Sequence, residues 1–266
     1  MKEIHVNQDI RLEAGYNEFV IDSDRELDLT FRGEGTCEVF LRIVHAKKMR
    51  IRTFAAANAK ISYLFWNVSD SDLSVDESHE VMQDANITVA YAECNGKETD
   101  RNTYVSLREE GASALVSSAS LVNSKKDYHM QVVNYAPHTY GDIKNFAVVL
   151  ADGNLTIDAV GKIVKGAHSS ESHQTSRALS FAEGQHAMIL PELLIDEDDV
   201  QASHAMSMGS VDEDQLYYLQ SRGLSAQECT SLLSTGYLMP ITRILSNEEL
   251  QEKLKEEMER KIFELC

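Results

Sequence analysis

From residue 27 to residue 208 the chain repeats one texture, short segments in which apolar residues alternate with polar or small ones. The clearest are Cys37–Val44, Ala59–Phe65, Asn86–Ala92, Ala114–Leu121, Tyr128–Asn134, Asn145–Leu150, Leu155–Val164 and Ala187–Ile195. A period of two sends every second side chain to one face, so each segment predicts a strand with one buried side. Asn95-Gly96, Glu110-Gly111, Asp152-Gly153 and Glu183-Gly184 supply turn-like breaks. Several turns lead into similar segments, such as Gly111–Ser118, Gly153–Val160 and Gly184–Pro191. That similarity predicts stacked rungs, but the glycine spacing is irregular and gives no strict repeat. Patterning alone leaves a solenoid and an antiparallel sandwich equally open.

After Gly209 the texture changes. Ser210-Val211-Asp212-Glu213 reads as a capping box that opens a helix, and Gly223 is placed to end it with positive φ. Ser225-Ala226-Gln227-Glu228 repeats the device with Gly236 as its stop, and Ser246-Asn247-Glu248-Glu249 opens a third helix. On that third helix Leu250, Leu254, Met258 and Ile262 recur every four residues and form one apolar stripe. The expected organisation is a short N-terminal segment (1–26), a β body (27–209) and a C-terminal helical domain (210–266).

Composition narrows the function. Lys and Arg total 25 against 43 Asp and Glu, a net charge of −18. A chain this acidic repels the phosphate backbone of nucleic acid and an anionic membrane surface. It suits a more basic protein partner. Cys37, Cys94, Cys229 and Cys266 are scattered with no CxxC spacing, which predicts a reduced, cytoplasmic protein and not a disulfide framework. The N-terminus has no apolar run of signal-peptide length, and no segment approaches ~20 uninterrupted apolar residues.

Little in the chain points to catalysis by itself. There is no GxSxG elbow and no GxxxxGK[ST] loop, and neither Cys229 nor Cys266 has a basic activator nearby in sequence. Four histidines gather late in the β region: His168, His173, His186 and His204. Imidazole can ligate iron or zinc, so one reading is a metal-dependent hydrolase or lyase using these four. The plainer reading is that most are polar strand residues. His204 stands apart as the candidate ligand because Ala202, Ser203, Ala205 and Ser207 leave its ring accessible. On the first helix, Tyr217, Tyr218 and Arg222 are residue types enriched at interface hot spots, with ordinary packing on the β body as the alternative.

Residues 134–224 resemble the SufB/SufD family of iron–sulfur cluster assembly scaffolds. The marks are Ala136-Pro137-His138-Thr139, Gly161-Lys162-Ile163, Pro191-Glu192-Leu193-Leu194-Ile195, Ser203-His204 and the run from Asp214 to Gly223. Residues 27–133 match only in texture. The resemblance implies a right-handed parallel β-helix with a C-terminal α-helical domain. It implies a non-catalytic scaffold whose helical domain docks a SufC-like ABC ATPase, here through Asp214, Gln215, Tyr217, Tyr218 and Arg222. ATP would then act only through that partner. The β-helix would pair with a SufB-like subunit or with itself, and a transient iron–sulfur cluster would form near that interface, with His204 as a metal ligand. Two departures favour a SufD-like or minimal member. The family's β-helix cysteine falls near Ser176, with no cysteine nearby, and Ala205 replaces the acid that follows the histidine. The chain is also shorter than typical members, mostly at the N-terminus, and lacks an N-terminal cysteine motif. One imidazole cannot hold a cluster, so the resemblance places the missing ligands on a second subunit.

Overall fold

The computed structural model describes residues 2–4, 7–181 and 186–266. The turn expected at Glu183-Gly184 lies outside them. The described residues form β1 (Lys2–Ile4), β2 (Gln8–Arg11), β3 (Gly15–Asp22), β4 (Leu27–Gly33), β5 (Thr36–His45), β6 (Lys48–Ala55), β7 (Lys60–Asn67), β8 (Leu73–Val81) and β9 (Asn86–Glu93). They continue as β10 (Thr99–Leu107), β11 (Ser113–Val122), β12 (Lys125–Asn134), β13 (Tyr140–Val149), β14 (Asn154–Ile163), β15 (Ser170–Ser180), β16 (His186–Ile195) and β17 (Val200–Ser210). The helices α1 (Glu213–Ser221), α2 (Ala226–Leu238) and α3 (Glu248–Leu265) follow, with a 3-10 turn (Met239–Ile244) before α3.

Odd-numbered strands make one nine-stranded sheet and even-numbered strands make one of eight, each in chain order. Pairing is parallel throughout, so the chain winds as a parallel β-helix and the sandwich reading is excluded. Three strands precede residue 27, so the winding reaches into the segment that the sequence pattern leaves blank. Register explains why no strict repeat was visible. Lys2 lies opposite Phe19, Thr99 opposite Lys126 and Asn154 opposite His186, so a turn of the solenoid lengthens from 17 through 27 to 32 residues. The constant element is one corner. Asn58, Asp84, Gly111, His138 and Ser169 all have positive φ, the first four two residues before the strand that follows and Ser169 immediately before it. Each is followed by a small buried residue: Ala59, Ala85, Ala112, Thr139 and Ser170. The left-handed residue turns the chain, and its small neighbour lets the next rung stack. At Gly111 a Cβ would collide with the Asp84 carboxylate one rung below.

The interior changes character along the axis. Early rungs are aromatic and aliphatic, with Phe31, Tyr63 and Phe65 in edge or stacked contact. Midway the core turns ionic. Arg101 is fully buried and bonds Glu77 at 3.0 Å and Glu93 at 3.1 Å, with its guanidinium 4.1 Å over the Tyr91 ring. Burial alone would raise the Glu77 carboxyl, but Arg101 and His79 hold it at about 2. Late rungs are small and polar: Ser172, Gln174 and Ser176 face inward and are buried.

A second apolar cluster lies outside the solenoid. Phe40, Leu64, Trp66, Ala92 and Leu121, on the outer face of the nine-stranded sheet, are covered by Leu238, Ile241, Leu245, Leu254, Met258 and Ile262. The stripe predicted on the third helix is therefore the face that seals this sheet. Arg42 of β5 clamps Glu257 of α3 through two hydrogen bonds of 2.7 and 2.6 Å.

Three cap assignments shift. Ser210 remains paired with Ser180 as the last residue of β17, and Asp212 caps α1 by accepting from the Asp214 amide. Ser246 donates its amide to the Glu38 carboxylate, which leaves Asn247 to cap α3. Gly236 does not stop α2. The helix runs on to Leu238, which is buried against the sheet, and Pro240 sits in the 3-10 turn beyond. The Ser225 capping box and the positive φ of Gly223 (+97°) are as expected.

Candidate functional site

The winding ends with β16 and β17, one at the rim of each sheet. No further described strand pairs with either, so each presents a row of backbone N–H and C=O groups. Ladder pairing from β15 fixes which way the last rung faces. Ser172, Gln174, Ser176 and Ala178 point inward, and they stand opposite Ala202, His204, Met206 and Met208. His204 therefore occupies an interior column whose next layer is missing, and its side chain is exposed for that reason. The same open rim leaves Met206 and Met208 half exposed and, on β16, exposes inward-facing Ile195, while Met188, Leu190 and Leu194 are exposed on the outer face of that last strand. Sequence reading missed this apolar rim. Its signal is the break itself: strand texture stops at Ser210 with inward positions still filled by methionine.

The four late histidines do not converge. His173 faces outward, and both its ring nitrogens are engaged, by Ser203 Oγ at 2.7 Å and Glu171 Oε2 at 3.0 Å. His168 lies in the corner, edge-on to His138 with ring centroids 5.4 Å apart. His186 starts β16 in the other sheet, opposite Asn154. Among the described residues no group of three or more His, Cys, Asp or Glu is arranged to hold a metal. The reading of a self-contained metal centre built from His168, His173, His186 and His204 is corrected accordingly. The period-2 geometry is the reason: His173 and His204 point to opposite faces of one sheet.

No cysteine completes the site at His204. Cys37, Cys94 and Cys229 are buried and Cys266 is half-buried at the end of α3. Burial pushes the Cys94 thiol up to about 12, the opposite of an activated thiolate.

The other candidate residues all lie on or at the end of α1. That helix buries none of its residues, whereas α2 and α3 bury three each. Tyr217 is 74% and Tyr218 56% exposed, and the Arg222 guanidinium sits 5.1 Å over the Tyr218 ring. Asp214, Gln215, Tyr218 and Leu219 line a groove of about 350 Å³ with Leu233 of α2. Leu232 and Phe263, also exposed, were not singled out by sequence. A larger hollow of about 400 Å³ lies over the eight-stranded sheet, but its charged groups pair with neighbouring strands, Arg50 with Asp28 and His129 with Asp158.

These features define a class of protein, a parallel β-helix that ends in an open rung and carries an outer helical region. The SUF system FeS cluster assembly SufBD core domain matches residues 34–237, and the chain belongs to this SufB/SufD family. It is 36% identical over 137 residues to the iron-sulfur cluster assembly protein SufD of Bacillus subtilis, covering 52% of this chain and 31% of that protein. Against SufB of the same organism it is 27% identical over 161 residues, 59% of this chain and 35% of SufB. Against SufD of Escherichia coli it is 24% identical over 107 residues, covering 40% and 25%. The matched stretches span about a third or less of these relatives. Among the described residues no helix is long and apolar enough to cross a membrane.

Proposed function

We propose that this chain is a non-catalytic scaffold subunit of a SUF-type iron–sulfur cluster assembly complex. One observation carries the reading: the last rung is unfinished, with two unpaired strand edges, an apolar rim and an exposed interior histidine at one end. A solitary imidazole cannot bind a cluster, which needs several thiolate or imidazole ligands. The cluster is the cargo. His204 offers one ligand, and a cysteine-bearing family subunit, or a second copy of this chain with help from a donor, supplies the rest across the rim. The free, mostly buried cysteines fit a cytoplasmic, reducing setting.

α1 is the proposed dock for a SufC-like ABC ATPase, through Asp214, Gln215, Tyr217, Tyr218 and Arg222. Exposed aromatics beside a guanidinium support this, because such groups contribute most to interface affinity. ATP reaches the assembly only through that partner.

Charge on the rim tests the pairing. Met206→Lys with Met208→Lys places two lysines where a partner strand would add, a device that blocks edge association. Sedimentation of the co-expressed subunits should then give separate chains in place of the complex. An intact complex would refute pairing through this rung. For the dock, Tyr217→Ser with Tyr218→Ser should abolish co-purification of the ATPase, and retained ATPase would refute the assignment. These substitutions are better than removing 210–266, because that deletion would expose Leu64, Trp66 and Leu121.

A further inference from the structure

We infer that Gln174 is a positioning residue for His204: its carboxamide oxygen is the acceptor that fixes the imidazole so that the opposite ring nitrogen can ligate iron. The inference rests on the reading of His204 as a cluster ligand and adds a residue from the rung beneath it.

Four observations converge on Gln174. It is 2% exposed and faces the solenoid interior. It is the register partner of His204, one strand below in the same inward column. Its Nε2 donates to the Glu192 carbonyl of β16 at 2.8 Å, which bridges the two sheets. That bond sets the orientation of the amide, because a flipped amide would turn its oxygen against the Glu192 carbonyl. The Oε1 atom is then left buried with no hydrogen-bond partner.

An unpaired buried acceptor has given up its hydrogen bonds to water without replacement, so its presence calls for an explanation. The column below offers none, since Val116 and Ile143 occupy the equivalent positions of the two preceding rungs. Above it stands only His204, whose ring bonds to none of the described residues. Neighbouring strands lie ~4.8 Å apart, so a side-chain rotation brings the ring N–H over the amide oxygen. A ligating histidine nearly always donates its other N–H to such an acceptor, which fixes ring and tautomer. The surroundings are built for this side chain. A Cβ at Gly161 would strike Ser172 Oγ and come within 3.0 Å of Gln174 Nε2, so glycine leaves the room across the interior in which the Gln174 amide lies.

The test separates an acceptor from a mere brace between sheets. Gln174→Met removes both the acceptor and the donor. Gln174→Glu removes the donor to Glu192 but keeps an acceptor. Iron retention is read in the complex with the family partner, loaded anaerobically and challenged with a ferrous chelator. The acceptor role predicts a 10–100-fold weaker hold for Gln174→Met, the range for loss of a ligand's hydrogen-bond partner, and retention within about threefold of wild type for Gln174→Glu. A structural brace predicts that both variants fall together, and that result overturns the proposal. Wild-type retention in Gln174→Met overturns it as well. His204→Ala is run in parallel. If His204→Ala holds iron as wild type does, the ligand reading itself has failed. If it loses iron while Gln174→Met does not, only the positioning role has failed.

Discussion

Replacing Arg101 by methionine should destabilise the solenoid more than any comparable change on its surface. The guanidinium is fully buried between Glu77 at 3.0 Å and Glu93 at 3.1 Å. Methionine matches its aliphatic length but leaves two carboxylates without a cation. Asn67 still donates to Glu93 at 2.7 Å and Thr103 to Glu77 at 2.8 Å, which only partly offsets the loss. Breaking a buried ion pair from one side costs ~3–5 kcal/mol. Glu77 points the same way: burial raises its carboxyl, yet it is held at about 2 against its ordinary 4.5, and Arg101 is the main cause pulling it down. The sign with pH follows. In wild type the Glu77 contribution is complete above the ordinary carboxylate range and is lost as pH falls through about 2. In Arg101→Met burial dominates and raises Glu77, so the variant gains relative to wild type as acid protonates it. Urea midpoints followed by Trp66 fluorescence at pH 7 and pH 3.5 measure both points. The gap should be large at pH 7 and narrower at pH 3.5. A gap below ~1 kcal/mol at pH 7, or one that widens in acid, would refute the reasoning.

Three further outcomes follow from the same geometry. Gly161→Ala forces a methyl into Ser172 and the Gln174 amide and should cost ~1–3 kcal/mol, read as a lower urea midpoint. Ser225→Ala removes a capping box in which Ser225 and Glu228 satisfy each other's amides, and should lower stability by ~1 kcal/mol with α2 exchanging its first-turn amides faster. Arg42→Ala cuts the two-bond clamp to Glu257 and should raise amide exchange in α3 while leaving β5 protected.

Much of the winding was legible where inward apolar residues alternate with polar ones, as in Val39 beside Glu38, Ile61 beside Ser62, Ile87 beside Thr88 and Ile157 beside Asp158. β8 and β10 escaped because Glu77, His79 and Arg101 stand at inward positions, where an alternation test expects aliphatic side chains. β15 and β17 escaped for a related reason: Ser172, Gln174, Ser176 and His204 make the last inward layers polar. Parallel topology was hidden in a solenoid whose rungs lengthen, since no fixed period survives, but the corner left a trace. A left-handed residue followed by a small one recurs from Asn58-Ala59 to Ser169-Ser170, and that pair marks each rung better than glycine does. The exposure of the His204 ring was legible from its small neighbours. Gln174 was not, because only register reveals that it lies beneath that ring. The α1 residues were legible as types, whereas Leu232 and Phe263 needed the fold to show which helix faces stay bare.

The central claim is that His204 carries iron–sulfur cargo at a rim completed by another subunit. Iron and acid-labile sulfide, measured in the anaerobically purified complex of the full chain with its family partner and ATPase, test it most directly. His204→Ala should leave the complex intact, because the ring is exposed, and should reduce both contents at least tenfold per complex. Equal iron and sulfide in the wild-type and His204→Ala complexes would contradict the account.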